Sequence, residues 1–216
     1  VNENLWLAMT GCVADYHIPD FAKEFEKKYP DLIDRKYKNP GDILYGGTKL
    51  GKLIRIFSFI LKGKNEDVKK SLKIMTRIES PYEMLNQETS QAKYLYKRYE
   101  IFNKKYEILY NDVKEQAEKT KEKLVVYRYK DDVTSFTADL GNEISYNFPE
   151  KIILIARKKN NEMKCSLRSK KTVLPGLIEK SLDGLRGYGG GHELACGLNV
   201  DVDDFEEFLR RFNEMI

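Results

Sequence analysis

Two short stretches of this chain carry the residue types best suited to holding an anion: KCSLRSK at 164–170 and RGYGGGHELACG at 186–197. In an extended conformation the first places Lys164, Ser166, Arg168 and Lys170 on one face and Cys165 and Leu167 on the other. Hydroxyl, guanidinium and ammonium donors then stand in one line, and a guanidinium binds two oxygens of a phosphodiester at once. From spacing alone Arg168 is equally able to pair with a carboxylate such as Asp183. The second stretch gives up side chains at Gly189, Gly190 and Gly191 and then places His192. Glycine loses much chain entropy on folding, so three in a row suggest a backbone that turns sharply or comes close to something. Main-chain N–H groups in a concave turn attract anions, phosphate above all, and His192 would add a donor. Tight turns also use glycine with no ligand, and both readings stay open at this point.

One further group invites a chemical reading. The apolar run WLAMTGCVADY (6–16) closes on Asp15. A single carboxylate makes no metal site, so by residue type alone Asp15 is a helix-end acid. His17 reads as a loop histidine. Cys12, Cys165 and Cys196 are odd in number, scattered and without a Cys-x-x-Cys pair, which argues against a disulfide framework or a zinc site and for ordinary buried thiols.

The elements that position these residues follow from hydrophobic period and punctuation. Residues 4–16 predict a helix running into a turn, although periodicity alone also allows a strand there, 20–29 predict a short helix and 29–47 mostly loop. Leu50, Leu53, Ile54, Phe57, Ile60 and Leu61 recur at helical spacing until Gly63; Val68, Leu72, Met75 and Ile78 give a second helix ahead of Pro81. From about Thr89 to Lys121 a narrow stripe of Ala92, Leu95, Tyr99, Phe102, Tyr106, Leu109 and Val113 predicts one long helix. Its aromatic seam suits packing on its own protein better than a dimeric zipper.

Beyond this helix the period changes. KLVVYRY (123–129), KIILIARKK (151–159) and KCSLRSK read as strands, with a helix over 134–146 between the first two. The strand–helix–strand unit predicts parallel neighbours, and 151–170 predicts a hairpin. A helix over 174–185 with Pro175 near its start follows, then the glycine segment, a strand at ELACGLNV (193–200) and an amphipathic helix opened by an Asp203–Glu206 capping box. The fold class is therefore α/β, a helical first part followed by a small mixed-sheet part, with the boundary near residue 122.

Composition sets the outer limits. Across 216 residues, a charged fraction of 33% and aromatics at 12% describe a globular chain large enough for a real core. No apolar stretch approaches the roughly 20 residues that span a bilayer, and no signal peptide opens the chain, so a cytoplasmic protein with no membrane partner is expected. The formal net charge of +4 by itself names no partner. Its distribution says more: eight basic residues against one acid between Lys151 and Lys171 form either a nucleic-acid-facing ribbon or a solvated lysine-rich face. The missing initial methionine and the immediate apolar approach suggest a piece of something longer.

CSLRS (165–169) followed by GYGGGHELACG (187–197) resembles the C-terminal, DHH-associated domain of the DHH phosphoesterases, whose signatures are an S-x-R-S strand and a G-G-G-H-x-x-A-x-G loop. The resemblance covers 123–216. WLAMTGCVADY resembles the fourth motif of the family's catalytic domain, and LGKLIRIFSFILKGK (50–64) with ESPYEML (79–85) resemble archaeal RecJ-like nucleases. The resemblance implies three parts: a helical tail of the DHH catalytic domain over 1–87, a connecting helix over 88–122 and a substrate-binding domain over 123–216. It implies Asp15 as a catalytic ligand of one of two Mn2+ ions, with Mg2+ as an alternative, and phosphodiester hydrolysis in which one ion supplies hydroxide and both stabilise developing charge. Ser166, Arg168, Ser169, Gly189, Gly190, Gly191 and His192 would hold substrate phosphates. In the family the other metal ligands sit on an Asp-x-Asp strand end, a further aspartate and the Asp-His-His motif, all upstream of the part this sequence matches, so the segment alone is expected to be inactive. The implied substrate is single-stranded DNA or RNA trimmed by a RecJ-like exonuclease. Short oligonucleotides or cyclic dinucleotides are the alternative, and a non-catalytic nucleic-acid-binding module, partnered by the missing DHH half or by replication proteins, is the rival class. No aromatic-rich stacking platform stands out in the sequence to select the long strand.

Overall fold

The structure, a computed structural model, describes residues 4–130 and 134–216. They form two compact units, 1–105 and 106–216. The first is helical: α1 (Leu5–Ala14), α2 (Ala22–Lys28), α3 (Pro40–Tyr45), α4 (Lys49–Ile60), α5 (Asn65–Met75), α6 (Pro81–Asn86) and the beginning of α7 (Ser90–Lys119). α4 is its centre. Thr48 caps that helix by accepting from the Gly51 N–H at 2.9 Å, and Leu50, Leu53, Ile54, Phe57 and Ile60 bury the face that the sequence period marks, whereas Leu61 of the same stripe is exposed beyond the helix end. Trp6, Met9 and Val13 of α1 are likewise buried.

Two short helices lie where the sequence predicts loop or no regular element. α3 falls inside 29–47 because Asn39 and Asp42 form a reciprocal capping box and Pro40 stands at the first position. α6 starts the same way, with Ser80 accepting from the Glu83 N–H at 3.1 Å ahead of Pro81. Along α7 the stripe is buried at Ala92, Leu95, Tyr99, Phe102, Tyr106 and Val113, as expected of a helix packed on its own chain.

The second unit is a five-stranded sheet in the order β1-β2-β3-β5-β4, built from β1 (Leu124–Lys130), β2 (Ile152–Lys159), β3 (Glu162–Arg168), β4 (Gly187–His192) and β5 (Ala195–Asp201). β1 and β2 are parallel and joined through α8 (Thr137–Asn147); the remaining pairs are antiparallel. The β2–β3 hairpin turns at Asn160, whose φ of 56° is one asparagine tolerates. α9 (Pro175–Leu182) and α10 (Phe205–Glu214) cover one face, where Leu154, Cys165, Leu167, Ile178, Leu198, Phe208 and Phe212 belong to one apolar cluster. α8 packs on the other face, over β2 and β3.

Two local expectations are corrected. The three glycines form no turn: they are part of β4, an exposed edge strand along its whole length. The Asp203–Glu206 box does not form either. Asp204 occupies the cap position of α10, and its carboxylate accepts instead from the Arg186 main-chain N–H and Nε, both at 2.9 Å. Among the described residues no helix is long and apolar enough to cross a membrane.

Candidate phosphate-binding face

Strand register decides which of the candidate residues can act together. Ser166 lies opposite Gly197, and Gly197 opposite Gly190; one step along, Arg168 lies opposite Ala195, and Ala195 opposite His192. Alternation puts both rows on the face that carries α8, while Cys165, Leu167, Cys196 and Leu198 point into the apolar cluster on the other. Arg168, Ser166, Gly190 and His192 thus share a face, with the small residues Ala195 and Gly197 of β5 as a low floor between them. The strand ends are tied together as well. The Ser169 N–H donates to the Leu194 carbonyl at 3.0 Å and the Leu174 N–H to the Glu193 carbonyl at 2.8 Å, which fixes the β4–β5 turn against the end of β3.

The glycines differ in what they do. A Cβ on Gly189 would meet Leu198 Cβ at 2.5 Å, and one on Gly191 would meet the Ala195 carbonyl oxygen at 2.5 Å, so packing alone requires both. At Gly190 a Cβ would meet nothing within 4 Å, and at Gly197 nothing closer than 3.9 Å. These two, side by side on neighbouring strands, leave a bare patch of sheet that internal packing does not explain. Gly197 was not among the expected site residues, although it closes the glycine–histidine motif. Because N–H groups in a strand lie in the plane of the sheet, the glycine run offers donors along its open edge, not in a concave turn.

Arg168 is held in place. Its Nε donates to Asn142 Oδ1 at 2.6 Å, and its Nη1 to the carbonyls of Leu167 and Cys196 at 2.9 and 3.0 Å. Asp183 ends α9, on the opposite side of the sheet, where its carbonyl accepts from Arg211. α8 comes this close because position 141 is glycine: a Cβ there would stand 3.2 Å from Ser166 Oγ and 3.3 Å from Arg168 Cγ. Ser166 itself is 4% exposed and its Oγ has no hydrogen-bond partner. An unsatisfied buried hydroxyl costs about 1–3 kcal/mol, which makes it a residue to explain. Ser169 has a different local task, its Oγ accepting from the main-chain N–H groups of Lys171 and Thr172 at 3.2 and 2.8 Å. The His192 side chain is exposed, and its carbonyl accepts from Cys196 Sγ. Asn142 and Gly141, both site-forming, carry no local sequence signal, because their role arises only when α8 crosses β3.

The cysteines are inert by environment where they are buried. Burial pushes the Cys165 thiol up to about 12 and raises that of Cys196, with Arg168 acting weakly in the opposite sense on the latter. Cys12 is half-buried, not fully enclosed as expected of a core thiol.

Asp15 caps the C-terminal end of α1 and is exposed. A carboxylate at the negative end of a helix is electrostatically unfavourable, so local structure supplies no reason for it. No group of three His, Cys, Asp or Glu side chains able to hold a metal exists among the described residues. This chain's own donors therefore do not fit the two-ion centre that the resemblance implies.

A mixed sheet with helices on both faces, joined to a helical part and carrying the S-x-R-S and glycine–histidine motifs side by side, defines the class: residues 91–216 match the DHHA1 domain, and the chain belongs to that family. Solved structures show the same fold. RecJ from Thermus thermophilus, in complex with Mg2+, is 14% identical with a TM-score of 0.66, over 99% of this chain and 34% of that one. The pGpG-specific phosphodiesterase PggH from Vibrio cholerae is 15% identical with a TM-score of 0.53, over 92% and 68%. An exonuclease RecJ bound to manganese is 14% identical with a TM-score of 0.51, over 97% and 53%. The chain thus spans about a third of the length of the Thermus RecJ. No curated protein matches it.

Proposed function

We infer that this chain is the substrate-holding part of a phosphodiesterase acting on single-stranded nucleic acid, and that the ester it holds lies over Gly197 and Gly190. Arg168 and Ser166 stand on one side of that floor and His192 on the other, with Gly189 and Gly191 keeping β4 close enough to β5 to complete it. Ser169 contributes by fixing the turn that follows Arg168. The observation that carries this reading is the bare Gly190–Gly197 patch beside a buried, unpartnered Ser166 hydroxyl. A guanidinium held by an amide and main-chain carbonyls is already oriented toward a ligand, so little rotamer entropy remains to be lost on binding.

Asp15 is proposed as one metal-binding carboxylate, with Mn2+ or Mg2+ held mainly by donors this sequence does not contain. The division into a catalytic-domain tail over 1–87, a connecting helix over 88–122 and a substrate domain over 123–216 belongs to the same proposal, as does a cytoplasmic setting. The test is oligonucleotide binding by fluorescence anisotropy. Arg168→Ala should weaken binding roughly tenfold or more and lower the salt slope by about one contact. Gly190→Ala, which has room for its methyl group, should weaken binding while the fold stays intact. Unchanged affinity in both variants removes the site. Tighter binding of a dinucleotide than of a long strand would select a short-nucleotide substrate. Binding without manganese-dependent hydrolysis, even when the missing DHH half is supplied, would select the non-catalytic module.

A further inference from the structure

On the face that carries Arg168 and Gly190, the next row along the strands is Lys164, Asn199 and Tyr188. Tyr188 is 67% exposed, the most exposed large apolar side chain among the described residues. It stands between glycines on its own strand, so no neighbouring side chain of β4 shields it. Its hydroxyl accepts from Asn199 Nδ2 at 2.5 Å, which draws the ring across β5. Among the described residues no ring or cation lies over it. An aromatic ring fixed at one end and open on its face is a surface on which a planar group can stack at little entropic cost.

We propose that Tyr188 is the stacking platform for a nucleobase, adjacent to the phosphate held over Gly190. This inference rests on the phosphodiester reading above and deepens it: the ligand is a base-bearing single strand, not an isolated phosphate ester. Alternate residues of a strand are about 6.8 Å apart, so Tyr188 is within reach of the nucleoside attached to that phosphate. Lys164 closes the same row, its Nζ 3.3 Å from Glu162 in a half-exposed pair that a phosphate could replace. Stacking on a ring face needs no base-edge hydrogen bond, so this mode of recognition tolerates any base. The sequence shows no platform of several aromatics; the structure makes one from a single ring laid over a strand of small residues.

The experiment compares a labelled octanucleotide with an abasic strand of the same length, at several matched salt concentrations, on the 216-residue chain. The wild type should prefer the base-bearing strand roughly five- to a hundredfold, the range that removing one stacking ring produces. Tyr188→Ala should bind both strands alike, with the salt slope unchanged because the phosphate contacts remain. Tyr188→Phe should keep the preference. If Tyr188→Ala still discriminates as the wild type does, or the wild type shows no preference, the platform is refuted while the phosphate site stands. If the wild type binds neither strand, the functional reading fails and this inference falls with it.

Discussion

Residue identity at the candidate face can be separated into what the fold needs and what it does not. Gly189 belongs to the fold: a methyl group there meets Leu198, so Gly189→Ala should destabilise by about 1–3 kcal/mol through overpacking. Ser166 does not. Removing an unpartnered buried hydroxyl relieves a desolvation cost, so Ser166→Ala should leave stability unchanged or raise it by about 1 kcal/mol, and should weaken ligand binding. Urea unfolding of the two variants, read beside anisotropy, checks both; a strongly destabilised Ser166→Ala would mean the hydroxyl serves the fold. The motif residues are legible in the sequence because arginine, serine, histidine and a glycine run announce themselves by type. That Gly190 and Gly197 are neighbours is not legible there, since it depends on the β4–β5 register, nor is the hold of Asn142 on Arg168, since helix and strand are far apart in the chain.

At the scale of elements, strands with β-branched runs and helices with long apolar periods are legible almost to their ends. α7 is expected over 89–121 and found at Ser90–Lys119. The short helices α3 and α6 escape sequence reasoning although their Asn-Pro and Ser-Pro starts with an acid three positions after the cap are present in the sequence. Six residues are too few for an apolar period to show. β4 escapes it for the opposite reason: glycine has poor strand propensity, and only pairing with β5 makes that segment extended. α10 yields a prediction of its own. The Arg210 guanidinium, then that of Arg211, holds the Glu207 carboxyl down to about 2 from its ordinary 4.5. A depressed carboxylate stabilises the fold above its unfolded-state value and loses that contribution as pH falls from about 4.5 toward 2. Glu207→Gln should therefore melt below the wild type at pH 6 by a margin that closes as pH approaches 2. Glu207 and its partners lie at the solvent-facing surface of α10, which keeps the margin small, and added salt should shrink it. A gap that persists at the acid end would rule the ion pairs out as its cause.

For the whole molecule, the count of charges overstates what one ligand can feel. Of the basic residues between 151 and 171, Lys151 donates to the carbonyls of Thr120 and Glu122, Arg157 is buried, and Lys164 lies beside Glu162. Lys158 lines a cavity of about 370 Å³ with Arg128, Lys130 and Phe205, on the α10 side of the sheet and away from Arg168. The ribbon seen in the sequence is thus divided between faces. Affinity for a single strand should fall with salt at a logarithmic slope of only about −1 to −2, matching two or three phosphates at roughly −0.7 each. A steeper line in a salt titration would mean a longer electrostatic track than this face provides. The bareness of β4 has a mechanical side too. A border strand almost devoid of side chains is tethered by main-chain bonds along one margin alone, with few side-chain contacts of its own to hold it. An occupant that spans β4 and β5 at once would close that free margin, so amide exchange along 187–192 should slow when ligand is bound.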